Sequence, residues 1–361
     1  MRADGPSGTN MDPQAPEQFL RNIPLFTYVE PLELPELLAL LKAESLAEGQ
    51  TLFREREPGD ALWLLGPGTE VAVSTTGEGG EALVVARPKG GETVGEMALV
   101  DEGARSATAV VTHAGVAYRL GAADFMRLRE GFRPAAYKVL KKICVDLCAR
   151  LRATDRRIAP EGRLVVPHTK ADFGVPVEPE LMDEFPPFRK LPQVVKLALA
   201  HQVRLIEAQE IQPLFGEGEP AEAAYFVLSG EVTVGRGGKT FATLGPGSML
   251  GLVALIDKGT RSASAVTTGP ARLLRLSRRD FDLLFTAGNR FTFLMLDLVA
   301  RQLVGHLRNA NELLTQEPTP ASGQAAAGSA SRLEEDLPEG EVLPLDLEIE
   351  IDTSADDEPL L

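Results

Sequence analysis

The sequence predicts a mainly β protein with flanking helices, built as two tandem copies of one domain. Three observations carry this expectation: short apolar runs broken by Gly and Pro, a long-range self-similarity, and a composition unsuited to a helical bundle. The chain has 361 residues, 44% of them hydrophobic, with 34 Gly and 26 Pro. That is enough apolar material for two cores, and too many turn formers for long helices to dominate.

The repeat appears as segments that recur in the same order at a nearly constant offset along the chain. Ile23-Pro24-Leu25-Phe26 matches Phe185-Pro186-Pro187-Phe188, Phe53 to Trp63 matches Phe215 to Tyr225, and Glu70 to Val73 matches Glu231 to Val234. The strongest match sets GEMALVDEGARSATAV, residues 95–110, against GLVALIDKGTRSASAV, residues 251–266, with ten of sixteen positions identical. Four matches in one order define a duplicated domain. The expected organisation is a disordered N-terminus over 1–16, domain 1 over 17–152, a linker over 153–178, domain 2 over 179–316 and a flexible acidic tail over 317–361.

Within the first copy, Leu32 to Leu46 has leucines at helical spacing and is expected to be a helix. The runs Ala61 to Leu65, Val71 to Thr75, Ala82 to Arg87, Ala107 to Val111 and Val116 to Leu120 are expected strands, joined by turns such as GPG and GEGG into an antiparallel barrel or sandwich. Ala122 to Arg129 and Arg133 to Ala153 return to helical periodicity, the second with Val139, Leu140, Ile143, Leu147 and Leu151 on one face. Pro160, Pro167, Pro176, Gly162 and Gly174 punctuate the linker. The segment from Glu317 to Ser331 is small and polar.

Charge narrows the function classes. Of the net −15, the tail from Arg332 onward holds twelve acids against one base, so the body carries only −4. Such a body has no electrostatic footprint for nucleic acid or an anionic membrane. The start, MRADGPSGTNMDPQAPE, has no signal-peptide core, and no uninterrupted apolar run approaches the length of a membrane span, so a cytoplasmic location is expected. Cys144 and Cys148, four apart on a helix, read as core or helix-surface thiols. His113, His168, His201 and His306 are too scattered to complete a zinc site. No GxSxG, HExxH or paired-carboxylate arrangement occurs, so no catalysis is expected. Gly238-Lys239-Thr240 resembles a P-loop end, but Thr233 stands where the first glycine belongs, which leaves a hairpin turn.

The repeated motif has a chemical reading of its own. A Gly-led turn enters a segment, Glu96 to Val100 or Leu252 to Ile256, long enough for one helical turn. Ten positions past each glycine come Arg105-Ser106-Ala107 and Arg261-Ser262-Ala263. A guanidinium fork beside a close-approach glycine suits a phosphate.

With these residues in view the sequence resembles the cyclic nucleotide-binding domain family of the catabolite activator and kinase regulatory subunits. The family cassette runs Gly-Glu-x-Ala-Leu, a short loop, then Arg-x-Ala-Thr or Ser, and the first copy has Gly95, Glu96, Ala98, Leu99, Arg105, Ala107 and Thr108. The resemblance spans both copies and includes the EPGDA turn from Glu57 to Ala61. It implies an eight-stranded, jelly-roll-like β-roll with an N-terminal helical segment and two C-terminal helices. It also implies that the Arg binds the cyclic phosphate, the Glu accepts from the ribose 2′-OH, and the last helix caps the purine. The first site is therefore expected at Gly95, Glu96, Met97, Ala98, Arg105, Ser106 and Ala107, with cAMP or cGMP as ligand and no prosthetic cofactor. A second, weaker site is expected at Gly251, Val253, Ala254, Arg261, Ser262 and Ala263, because Leu252 replaces the Glu and Ala221-Glu222 replaces Gly59-Asp60. Alternatively, Glu96 and Arg105 bridge each other in a ligand-free scaffold.

Ser106 and Ser262 leave the purine open, since family members that prefer cGMP tend to carry Thr there. The expected role is a non-catalytic receptor whose output is a contact with a protein partner. Leu343, Leu345, Leu347, Ile349 and Ile351 alternate with Asp346, Glu348, Glu350 and Asp352, which makes residues 343–352 a candidate extended contact segment. Arg156-Arg157-Ile158-Ala159-Pro160 faintly resembles a kinase pseudosubstrate, but it lies between the domains rather than before them. No helix-turn-helix pattern follows the second copy, which disfavours DNA binding.

Overall fold

The structure, a computed structural model, describes residues 15–77, 80–101, 103–159, 174–209, 212–237, 239–286 and 290–316. Residues 1–14, most of the linker and the whole tail, including the alternating segment 343–352, lie outside them.

Each repeat is eight strands in two four-stranded antiparallel sheets, preceded and followed by helices. In the first, α1 (Ala15–Arg21), a 3-10 turn (Pro24–Phe26) and α2 (Leu34–Leu38) lead to β1 (Leu41–Leu46), β2 (Thr51–Phe53), β3 (Ala61–Leu65), β4 (Glu70–Thr76), β5 (Ala82–Ala86) and β6 (Thr93–Val94). A 3-10 turn (Glu96–Leu99) precedes β7 (Thr108–His113) and β8 (Gly115–Gly121), after which come α3 (Ala122–Glu130) and α4 (Pro134–Ile158). The sheet orders are β1-β8-β3-β6 and β2-β7-β4-β5. The second repeat has 3-10 turns at Pro179–Glu184 and Pro186–Phe188, then α5 (Gln193–Gln202), β9 (Val203–Ala208), β10 (Pro213–Phe215), β11 (Ala223–Ser229), β12 (Val232–Arg236), β13 (Lys239–Leu244) and β14 (Met249–Leu250). It continues with α6 (Leu252–Ile256), β15 (Ser264–Thr267), β16 (Ala271–Ser277), α7 (Arg278–Thr286) and α8 (Arg290–Gln316), in sheet orders β9-β16-β11-β14 and β10-β15-β12-β13. The eight-stranded rolls that the resemblance implied are thus present twice.

Alternation sets the interior of each roll. Ala61, Trp63 and Leu65 of β3 pack with Phe53, Val71, Ala109 and Ala117 inside the first, and Ala223, Tyr225 and Val227 of β11 do the same in the second. Leu62 and Leu64 face the other way and join the helical core, so β3 is buried on both sides. Its sequence shows that as an unbroken apolar run.

The leucine-rich segment departs from expectation. Leu34–Leu38 is a short helix, but Leu41–Leu46 is strand β1, paired antiparallel with β8 from Leu41↔Leu120 to Leu46↔Gly115. Leucine satisfies both periods, and the non-local pairing decides between them. The terminal helix also runs past Ala153 to Ile158, so Arg156 and Arg157 are helical residues rather than linker. Thr154 and Ile158 are buried along that extension. Gly238 itself lies outside the described residues, but the strands flanking it, β12 and β13, pair antiparallel with Arg236 opposite Lys239.

α4 and α8 pack along one another. Val139, Leu140, Ile143, Leu147 and Leu151 share one core with Leu296, Val299, Leu303 and Leu307. Tyr137 and Phe293, which occupy equivalent positions in the two helices, touch ring to ring at 5.7 Å. The Tyr137 hydroxyl donates to the Phe285 carbonyl at 2.6 Å, and Arg129 pairs with Asp297. Cys144 and Cys148 are free and buried in this seam, and burial pushes both thiols up. They are therefore core thiols, in line with the sequence reading.

Candidate functional site

In the first repeat the chain enters the cassette through Gly95, whose φ of +91° is left-handed. A Cβ there would sit 2.7 Å from Arg105 Nη1 and 3.1 Å from the Ala61 carbonyl, so both backbone conformation and packing require glycine. The turn that follows buries Ala98 and Leu99. Arg105 donates from Nη2 to the Ala61 carbonyl at 2.7 Å and to Asp60 Oδ1 at 3.1 Å, and from Nη1 to the Gly95 carbonyl at 3.2 Å. Its guanidinium lies 4.1 Å from the Phe53 ring centroid. Only 4% of its side chain is exposed, and burial lowers its pKa while Asp60 opposes the shift. Asp60 is itself shared with Arg119 at 2.6 Å.

The EPGDA turn holds the cassette loop from the other side. Arg105 N–H donates to the Glu57 carbonyl at 2.8 Å, and a Cβ on Gly59 would lie 2.9 Å from Ala98 Cβ. Glu96 does not bridge to Arg105. Its Oε1 accepts from Thr93 Oγ1 at 3.0 Å and from Arg150 Nη2 of α4 at 2.7 Å, and Glu96 is the main cause of a raised Arg150 pKa. The Ser106 hydroxyl lies 3.9 Å from Met97 Sδ, and Ala107 is buried beside them. All seven residues expected at the first site thus fall on one cassette between β6 and β7.

The second repeat repeats this frame with different chemistry. Gly251 has φ +79°, and a Cβ there would lie 2.5 Å from Arg261 Nη1. Arg261 donates to the Gly251 carbonyl at 2.7 Å and the Ala223 carbonyl at 2.6 Å, and stacks 4.0 Å from the Phe215 ring. Among the described residues no carboxylate lies within ion-pair distance of it, its Nε has no hydrogen-bond partner, and burial lowers its pKa to about 10. Leu252 is 3% exposed where Glu96 stands in the first copy, and His306 of α8 falls where Arg150 does. Gly251, Val253, Ala254, Arg261, Ser262 and Ala263 all line a cavity of about 140 Å³ whose walls include Phe215, Phe241, Met249, Leu252 and Leu303. Burial lowers the His306 pKa, because it disfavours the charged imidazole.

Two ion pairs that spacing alone does not predict join the repeats. Arg152 of α4 forms a two-pronged pair with Asp257, Nη2 lying 2.9 Å from Oδ1, and Arg308 of α8 grips Asp101 at 2.6 and 2.9 Å. A Cβ on Gly259 or Gly103 would collide with those same guanidinium groups. The offset that relates Asp101 to Asp257 also relates Arg152 to Arg308, and that is the sequence signal for the exchange. Each terminal helix therefore braces the cassette loop of the other repeat. Among the described residues no cluster of His, Cys, Asp or Glu fits a metal, and no single helix is long and apolar enough to cross a membrane.

Both rolls share this topology, and each carries a glycine-led cassette with a buried arginine. The model of the cyclic nucleotide-binding domain family matches residues 43–131 and 205–287, and the chain is a tandem cyclic nucleotide-binding domain protein of that family. It is 42% identical over 95 residues to the cyclic AMP receptor protein of Thermus thermophilus, covering 25% of this chain and 44% of that protein. It is 34% identical over 112 residues to a cAMP-dependent protein kinase regulatory subunit of Aspergillus niger, covering 31% and 26%. The chain thus spans less than half the length of these curated relatives. Among solved structures, the cAMP-bound regulatory domain of Toxoplasma gondii PKA is 19% identical at a TM-score of 0.31, covering 77% of this chain and 95% of that one. The N-terminal domain of a Streptomyces coelicolor transcriptional regulator is 32% identical at a TM-score of 0.32, covering 38% and 94%.

Proposed function

We propose that the chain is a non-catalytic receptor for a cyclic nucleotide, cAMP or cGMP, whose output is a contact with a protein partner. The first repeat, residues 17–152, holds the stronger site, at Gly95, Glu96, Met97, Ala98, Arg105, Ser106 and Ala107. The second, residues 179–316, holds the weaker one. The observation that carries this reading is the buried Arg105 fork, which already bonds two carbonyls and one carboxylate in a niche that only glycine can border. A cyclic phosphate arriving there exchanges with Asp60, and the Glu96 carboxylate exchanges its Arg150 or Thr93 partner for a ribose hydroxyl. Each charge-assisted bond contributes about 1.5–3 kcal/mol. About 22 ligand heavy atoms at roughly −0.3 to −0.4 kcal/mol each give a dissociation constant of micromolar order.

The alternative role is a ligand-free scaffold, which is favoured by the internal pairing of Glu96 and Arg105 with other side chains. Thermal unfolding separates the two. Binding to the native state alone raises the Tm with nucleotide concentration, whereas a scaffold does not respond. Arg105→Ala should abolish the shift while circular dichroism reports a folded chain. An unchanged shift in that variant would move the site away from the cassette. Residues 343–352 are the candidate contact segment for the partner.

A further inference from the structure

The terminal helix of the first repeat takes part in the second repeat's cavity. Leu151, Asp155 and Ile158 of α4 line it, and Arg152 ties this end of the helix to the cassette loop through Asp257. Asp155 is the single carboxylate among the described lining residues. It interacts with the Ser262 hydroxyl, next in the chain to Arg261, and all three residues line the same cavity.

The cations around Asp155 are engaged elsewhere. Arg152 of its own helix is held by Asp257, and Arg236 of β12 is paired with Glu217 at 2.7 Å. Arg261 is bonded back onto the Gly251 and Ala223 carbonyls, and burial lowers the pKa of His306 of α8, which disfavours its charged form. Burial accordingly outweighs Ser262, Arg236 and Arg152, and raises the Asp155 pKa from 3.8 to about 6. The equivalent position in α8 is Asn311, a neutral amide.

We propose that Asp155 is a specificity-determining residue of the second cavity: its carboxylate, delivered by the first repeat, bars a cyclic phosphate while charged and admits it once neutral. This rests on the reading of the cassettes as nucleotide sites. The sign follows from linkage, since a bound anion and a charged Asp155 oppose each other. Second-site affinity therefore rises as pH falls through about 6, whereas the first site, with Asn311 in the matching place, does not share the dependence. The second site is then weak because a negative charge has been added, and not only because Leu252 lacks an acceptor.

Calorimetric titration of the full chain with cAMP, and separately cGMP, at pH 7.5 and 5.5 tests this. The wild type should bind about one nucleotide per chain at pH 7.5, with a second event strengthening about tenfold or more at pH 5.5. Asp155→Asn should bind two per chain at both pH values, Asp155→Glu should behave as the wild type, and Arg261→Ala in the Asp155→Asn background should return the count to one. Thermal unfolding in parallel verifies each fold. If Asp155→Asn leaves the second site unchanged or weakens it while the first binds normally, the carboxylate is neutral or an acceptor for ligand, and the proposal is overturned. If neither site binds in any variant at either pH, the nucleotide reading fails and this proposal fails with it.

Discussion

Arg105 and Arg261 hold matching places in the two cassettes and differ in what neutralises them. Arg105 has Asp60 within ion-pair distance, while Arg261 bonds carbonyls and stacks on a ring, with Glu219 and Glu222 acting on it only at longer range among the described residues. The sequence displayed this asymmetry as Gly59-Asp60 against Ala221-Glu222. It displayed the loss of the Glu equally directly, but held no sign that Glu96 is gripped by Arg150 and that His306 replaces Arg150. Leu252→Glu alone buries a carboxylate beside an imidazole whose charged form burial disfavours. The paired change Leu252→Glu with His306→Arg recreates the first site's arrangement and should strengthen second-site binding by about 1–3 kcal/mol, roughly 5- to 150-fold. Glu96→Leu should weaken the first site by a similar amount. Fluorescent-nucleotide displacement reads both. Asp155 adds a stability effect of definite sign. Its folded pKa of about 6 lies above the ordinary 3.8, so its contribution is least unfavourable below about pH 4, and stability is lost as pH rises through 6. Asp155→Asn should therefore raise stability at pH 7.5 by about 1–3 kcal/mol and do little at pH 4, which denaturant melts at the two pH values check.

At the scale of elements, β3, β4, β5, β7, β8, α3 and most of α4 could be read from apolar runs and turn residues, because local pattern and final environment agree there. Leu41–Leu46 could not, since its leucines fit a helix and only the distant strand β8 makes it a strand. The far end of α4 was hidden for a related reason. Asp155, Arg156 and Arg157 look like solvated charge until the second repeat supplies the surface on which Leu151 and Ile158 pack. The exchange of Arg152 and Arg308 between repeats leads to a prediction at this level. Each pair is two-pronged and its side chains are 18–25% exposed, so Arg152→Ala or Arg308→Ala leaves a half-buried carboxylate and should cost about 1–3 kcal/mol. If the two braces act independently their losses add. A double variant more stable than the sum shows the braces to be coupled, and urea unfolding of all four proteins makes the comparison.

For the whole molecule, duplication supplies two rolls whose terminal helices meet in one seam, so each cassette is completed partly by the other repeat. Nucleotide at one cassette can act on the other only through differential affinity for two arrangements of that seam. The tail from residue 332, which lies outside the described residues, carries most of the negative charge. Deleting 332–361 should leave nucleotide affinity nearly intact while removing partner capture. Retention of every partner by the truncated chain would move the output to the rolls or the linker. All of this depends on the first cassette receiving a cyclic nucleotide, and equilibrium dialysis of the full chain against labelled cAMP and cGMP measures that directly. The account predicts saturable, micromolar-order binding of at least one of them near pH 7.5, lost in Arg105→Ala. No saturable uptake of either at millimolar ligand, or equal uptake by Arg105→Ala, would contradict it.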